Sequence, residues 1–258
     1  MIRRTLVLAA AVAVAGTLTG AALASHSWGS YHWGRTANPV PLTVIDTTSS
    51  NWTSYVNTAV SDWNASTMLT LTKTTGSASR RCPATSGKIK VCNRTYGNNG
   101  WLGLATIWTV SGTTHIAQAT TKLNDTYLNS GTYNTPAYHQ FVVCQEVGHD
   151  FGLDHQDENF NNANLGTCMD YTSSPGTNQH PNQGDYDQLL CIYDPANAGR
   201  TLSTSTHSCT GTGHLDSSNT WSGVNYWLSR HQRSALRITH YAVREGMFTR
   251  HVVITWVR

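Results

Sequence analysis

Gln145-Glu146-Val147-Gly148-His149-Asp150-Phe151-Gly152-Leu153-Asp154-His155 is the stretch that decides how the rest of the chain is read. On a helix, positions 145 and 149 lie four apart and share a face, so their side chains reach one point. Glu146 sits one step round, placed to touch something held at that point without ligating it. Gly152 adopts without strain the left-handed conformation that ends a helix. The chain then turns, and His155 approaches the same point from the other side. Two imidazoles and a carboxylate converging in this way suit a zinc ion that keeps one position open for water. A carboxylate on such a face is costly to bury unless it is paired, metal-associated or protonated. Position 145 is the weak donor, because an amide oxygen binds zinc less well than an imidazole does.

The flanking sequence places this helix at 137–151, before a long polar segment at 156–184 and a short helix at 186–193. Upstream, 39–45, 69–74, 102–110 and 114–123 alternate as strands, the last two separated by Ser111-Gly112. Residues 50–64 carry Trp52, Tyr55, Val56, Ala59, Val60 and Trp63 on one helical stripe, introduced by the capping-type residues Ser49 and Ser50. Residues 76–100 are rich in Gly, Ser, Arg and Asn and read as a loop. In the tail, the alternation of Leu236/Ile238 and of Val252/Ile254/Trp256 predicts a hairpin around Arg244-Glu245-Gly246. No internal repeat is present, and the elements together give an α/β (α+β) chain.

Glu146, His149, Gly152 and His155, with Cys168-Met169-Asp170-Tyr171 downstream, resemble the metzincin signature H-E-x-x-H-x-x-G-x-x-H and its Met-turn. Matrixins and small secreted bacterial metalloproteases such as snapalysin look nearest. His155 is matrixin-like, since the snapalysin motif ends in Asp. The resemblance implies a twisted mixed sheet of about four to five strands. That sheet would pack on an N-terminal helix and the zinc-motif helix, followed by the Met-turn and a C-terminal helix. It implies a catalytic domain at 25–195, with 196–258 as a β-rich extension or added hairpin. It further implies a secreted, monomeric zinc-dependent endopeptidase that binds protein or peptide substrate in extended form along an edge strand at 114–119. Glu146 would be the general base, His149, His155 and Gln145 the metal ligands, Met169 the apolar floor and Tyr171 the oxyanion support.

The departure at Gln145 leaves three readings open. The amide ligates directly or through a water, another residue such as His139 supplies the third ligand, or the site is a relic. In the last case the chain keeps the fold as a secreted binding or structural module. Asp150, Asp154, Asp157 and Glu158 form a candidate Ca2+ set beside the Zn2+ site.

The chain has 258 residues, of which 12% are charged, with nine Trp and eleven Tyr, a composition too aromatic for disorder. Arg3 and Arg4 supply two of its three net positive charges, so phosphate neutralisation is no basis for a nucleic-acid partner. The same arginines, the apolar run to Leu18 and Ala22-Leu23-Ala24 make 1–24 a secretory signal. No later segment is apolar for long enough to span a membrane. All six cysteines, Cys82, Cys92, Cys144, Cys168, Cys191 and Cys209, lie beyond the signal, an even number for an oxidising compartment. Their connectivity is open, the sequential pairing being one choice. Glycosylation sequons begin at Asn51, Asn64, Asn93 and Asn124. No G-x-S-x-G elbow supports a serine hydrolase, and no spacing of the aromatic residues singles out a carbohydrate site.

Overall fold

Alternating burial along Val40–Asp46, with Val44 wholly enclosed, makes this strand the organiser of a sheet. The computed structural model describes residues 26–194 and 240–256; the expected signal at 1–24, Leu236, Ile238 and Cys209 lie outside the described residues. In chain order the elements are β1 (His32–Trp33), β2 (Val40–Asp46), α1 (Thr53–Trp63), β3 (Leu69–Thr75), β4 (Lys88–Arg94), β5 (Trp101–Val110) and β6 (His115–Asn124). There follow α2 (Asp125–Leu128), α3 (Pro136–His149), α4 (Gln183–Tyr193), β7 (His240–Glu245) and β8 (Phe248–Trp256).

The sheet has eight strands in the order β3–β2–β4–β6–β5–β8–β7, with β1 on β6. β3, β2, β4 and β6 run parallel, whereas β5, β8 and β7 join as antiparallel strands. α1 crosses over between β2 and β3 and buries Val56, Ala59, Val60 and Trp63, the stripe legible in the sequence. α3 packs between α1 and strands β5, β6 and β8. It is therefore buried on nearly every side from Tyr138 to His149. Pro136 at its first turn and the Thr135 hydroxyl, which accepts from the Tyr138 amide, fix where it starts. α4 begins in a reciprocal cap between Asn182 and Asp185.

Three expectations change. Residues 76–100 contain β4, because Lys88-Ile89-Lys90-Val91 alternates within an otherwise polar stretch and buries Ile89 and Val91 between β2 and β6. The sheet exceeds four to five strands, since the C-terminal hairpin extends it. The segment 114–119, expected as an edge, leads into and lies along β6, which has β5 on one side and β1 and then β4 on the other, and is interior. The free side of β5 is covered by β8.

Cys82 pairs with Cys92 and Cys144 with Cys168. Cys191 is disulfide-bonded too, and its sequential partner Cys209 lies outside the described residues. Among the described residues no helix is long and apolar enough to cross a membrane.

Candidate metal centre

α3 ends at His149, and two glycines shape its last turn and the bend beyond it. A Cβ on Gly148 would stand 2.6 Å from Met169 Sδ and 2.7 Å from the Trp63 ring, so the bare backbone lets both press against the helix. Met169 is fully buried there, against the residue that precedes His149. Gly152 has φ +91° and a Cβ would collide with the Tyr31 carbonyl. Only glycine satisfies both conditions. Beyond it the chain is gripped by the N-terminal segment: Trp28 N–H donates to Gly152 O over 2.8 Å and Asp154 N–H to His26 O over 2.6 Å. This turn returns His155 to His149, with ring centroids 4.5 Å apart and planes nearly perpendicular.

Hydrogen bonds at the outer edges of the two rings assign their protons. The Leu153 carbonyl can only accept, so His149 donates to it from Nδ1 over 2.8 Å. Glu158, held below the ordinary carboxylate range by its bond with His155, accepts from Nδ1 of that ring over 3.0 Å. The ε-nitrogens then face one another 3.0 Å apart, each with a lone pair inward. Two lone pairs repel at that distance, so the contact requires a cation: an additional proton or a metal ion. Zinc held by two imidazoles at its usual ~2.0–2.1 Å and a tetrahedral angle separates their nitrogens by roughly 3.4 Å. The pair thus fits a zinc ion with only a small opening of the rings. A carbonyl on one outer edge and a carboxylate on the other are the partners that orient metal-ligating histidines. Burial, then the neighbouring His155, pushes His149 well below the usual imidazole range, leaving it neutral as a ligand must be.

Glu146 is wholly buried against Gly103 of β5, where any larger residue would collide with its carboxyl group. Burial pushes its pKa up to about 8, an effect moderated by Thr255 and the Ala105 backbone. Neither carboxyl oxygen accepts a well-aligned hydrogen bond. Gln145 is committed at both ends of its amide: Nε2 donates to Cys168 O over 2.8 Å, and Oε1 accepts from the Thr255 hydroxyl over 2.5 Å. Tyr171 packs its ring, tilted, 4.2 Å from that of His155 and donates its hydroxyl to the Ile254 carbonyl over 3.2 Å.

His139 does not join the histidine pair. It bonds to Thr135 O over 2.7 Å through Nδ1 and packs on Trp52 and Tyr55 at the start of α3. The four carboxylates expected for calcium also separate. Asp150 accepts from Thr121 over 2.8 Å under the sheet, and Asp157 caps the Asn159 amide over 2.5 Å. Asp154 and Glu158 instead gather with His155 and His240, their ligand atoms within 4.8 Å of one another. That is a mixed nitrogen and oxygen set, softer than calcium prefers. Within it Asp154 accepts from His240 over 3.0 Å. Burial works against ionising this carboxylate, but the bonds and charges of His240 and His155 outweigh it and hold Asp154 well below the carboxylate range.

Sequence reasoning missed His240, Ile254 and Thr255 as neighbours of the site. Nothing local marks them; only the pairing of β8 with β5 brings them there.

No known family profile matches the chain, and no curated protein sequence matches it. Among solved structures, a likeness is found to high choriolytic enzyme 1 (HCE-1), a hatching enzyme zinc-protease from Oryzias latipes (Medaka fish). It has a TM-score of 0.35 and 12% sequence identity, over 63% of this chain and 94% of that one. A likeness so slight carries nothing about what this chain does.

Proposed function

We propose that the chain is an exported metal-dependent endopeptidase whose metal is held by His149 and His155. The observation that carries this reading is the 3.0 Å approach of two ε-nitrogens whose outer edges are pinned by Leu153 and Glu158. When bound, zinc supplies Lewis acidity, which lowers the pKa of water to about 7 and polarises a carbonyl.

The chain's own residues do the rest. Glu146, one position from the ligand face, takes a proton from water and passes it to the departing amine nitrogen. Its carboxylate form, disfavoured by burial, would be favoured by a cation held at the two histidines. The Tyr171 hydroxyl, which already holds a peptide carbonyl, donates to the carbonyl oxygen of the scissile bond. Gln145 Oε1 would be the third residue to hold the ion if the Thr255 hydroxyl were withdrawn from it. Met169 keeps the floor apolar and dry. The leader at 1–24 and the disulfides support export, and the substrate class is extended protein or peptide, bound by a monomer.

Glu146→Gln tests this reading. Once the C-terminal hairpin no longer covers the site, casein cleavage should fall by roughly 10²–10⁴ relative to the same chain with Glu146, while zinc binding is retained; unchanged cleavage would remove Glu146 from the mechanism. A second reading has its own observation. The Gln145 amide is satisfied at both ends and the centre is buried, as in a fold kept for binding without turnover. Zinc-loaded protein that cleaves neither casein nor gelatin even when its C-terminal hairpin is released from the site would establish it.

A further inference from the structure

Gln145, Glu146 and His149 have no exposed surface, and His155 retains 7%. A site built to hydrolyse polypeptide cannot work in that state. Trp28 covers His149, and the C-terminal hairpin covers the side of the site that carries Gln145, Tyr171 and Asp154. β8 lies antiparallel along β5, in register from Val110 opposite Phe248 to Gly103 opposite Thr255, with a bulge before Trp101 opposite Trp256. Without it, β5 would present an unpaired strand edge beside α3, which is the surface to which an extended peptide adds. β8 meets the site as such a peptide would. Its Ile254 carbonyl accepts from the Tyr171 hydroxyl, and the adjacent Thr255 hydroxyl occupies Gln145 Oε1 beside Glu146.

We propose that the β7–β8 hairpin is a tethered occupant of the groove between β5 and Tyr171, closing the site until the hairpin is displaced. This rests on the reading of the site given above and adds its regulation. The hairpin is held unevenly. Val252 and Val253 of β8 are buried, whereas Tyr241 and Val243 on β7 are 41% and 42% exposed. β7 reaches the site through His240, which pairs with Asp154 and packs 5.8 Å from the Trp28 ring. The main-chain ladder is thus supplemented at the site by two side-chain latches, Thr255 on Gln145 and His240 on Asp154. A covalent tether keeps the local concentration of this strand in the millimolar range, so a free peptide competes poorly while the latches hold.

The test uses the full chain and a fluorescein-labelled peptide of residues 248–256. The double variant Thr255→Val/His240→Ala removes both latches and keeps the β8 backbone. It should bind the peptide at least tenfold more tightly than the wild type, with faster amide exchange in β8 and unchanged exchange in β2 and β4. Adding Trp108→Cys/Arg250→Cys, register partners on β5 and β8, locks the hairpin by a disulfide and should abolish the gain. The proposal is overturned if β8 exchange accelerates and no peptide binds, or if exchange and binding both stay at wild-type values. Peptide binding without any casein cleavage would keep the occlusion and remove the peptidase reading.

Discussion

The two halves of the sheet are built differently. The parallel half, β3–β2–β4–β6, comes from residues 40–124 and rests on α1 and α3, with Val44, Ile89 and Val91 wholly enclosed. The antiparallel half joins β5 to two strands that arrive more than a hundred residues later in the chain, and its outer strand β7 is largely open to solvent. The first half is a platform, because removing any of its strands would tear the core. The second is a cover, attached by one ladder and a few side chains. The candidate centre lies where they meet: the platform supplies Glu146, His149 and the turn to His155, and the cover supplies Thr255 and His240.

The largest effect is expected in the platform. Gly152→Ala puts a Cβ into the Tyr31 carbonyl at a left-handed position, so it should cost more than about 4 kcal/mol in denaturant unfolding and abolish metal binding. A loss under 1 kcal/mol would show that the turn to His155 is less constrained than its contacts require.

A smaller effect, with a pH signature, belongs to the cover. His251 of β8 packs 4.2 Å from the Tyr31 ring and contacts the Thr109 hydroxyl at 3.1 Å. Burial lowers its pKa to about 4. The unfolded chain therefore binds the proton first as pH falls. The stability associated with neutral His251 is complete above about 6.5 and is lost as pH drops through 4. Discounted for the water reaching the ring, this amounts to about 1–2 kcal/mol. Acid should lower the amide-exchange protection factors in β8 before those in β2, and His251→Asn should flatten that dependence. Equal loss of protection in both strands would erase the distinction between platform and cover.

The smallest effect is expected at the outer strand: Val243→Thr should change the unfolding free energy by no more than about 0.5 kcal/mol. A loss above 2 kcal/mol would mean that β7 is packed against something further.

Legibility in the sequence divides along the same line. The α1 stripe and strands β2 and β3 are written in local periodicity, because each buries one recurring face. α3, buried nearly all round, is marked instead by its motif and glycine stop, and β5 and β6 by their apolar, strand-prone residues. β4 escaped because Ile89 and Val91 are its only strong apolar signal, set between lysines in a polar stretch. The C-terminal hairpin was legible as a hairpin, but its place was not. Alternation says that a strand has an inner face and is silent about which edge it will join. The edge at 114–119 was what the metzincin resemblance implied; that segment lies inside the sheet beside β5, and it is the outer side of β5 that β8 fills. The commitment of Gln145 to Cys168 and Thr255, and the approach of His240, are likewise consequences of long-range pairing.

The pairing of His149 and His155 around a cation is tested most directly by counting metal. Purified full chain, dialysed against zinc and then against buffer, should retain about one zinc ion per chain by elemental analysis, and His149→Ala and His155→Ala should each retain almost none. Wild-type protein free of zinc would mean that a proton alone bridges the two rings.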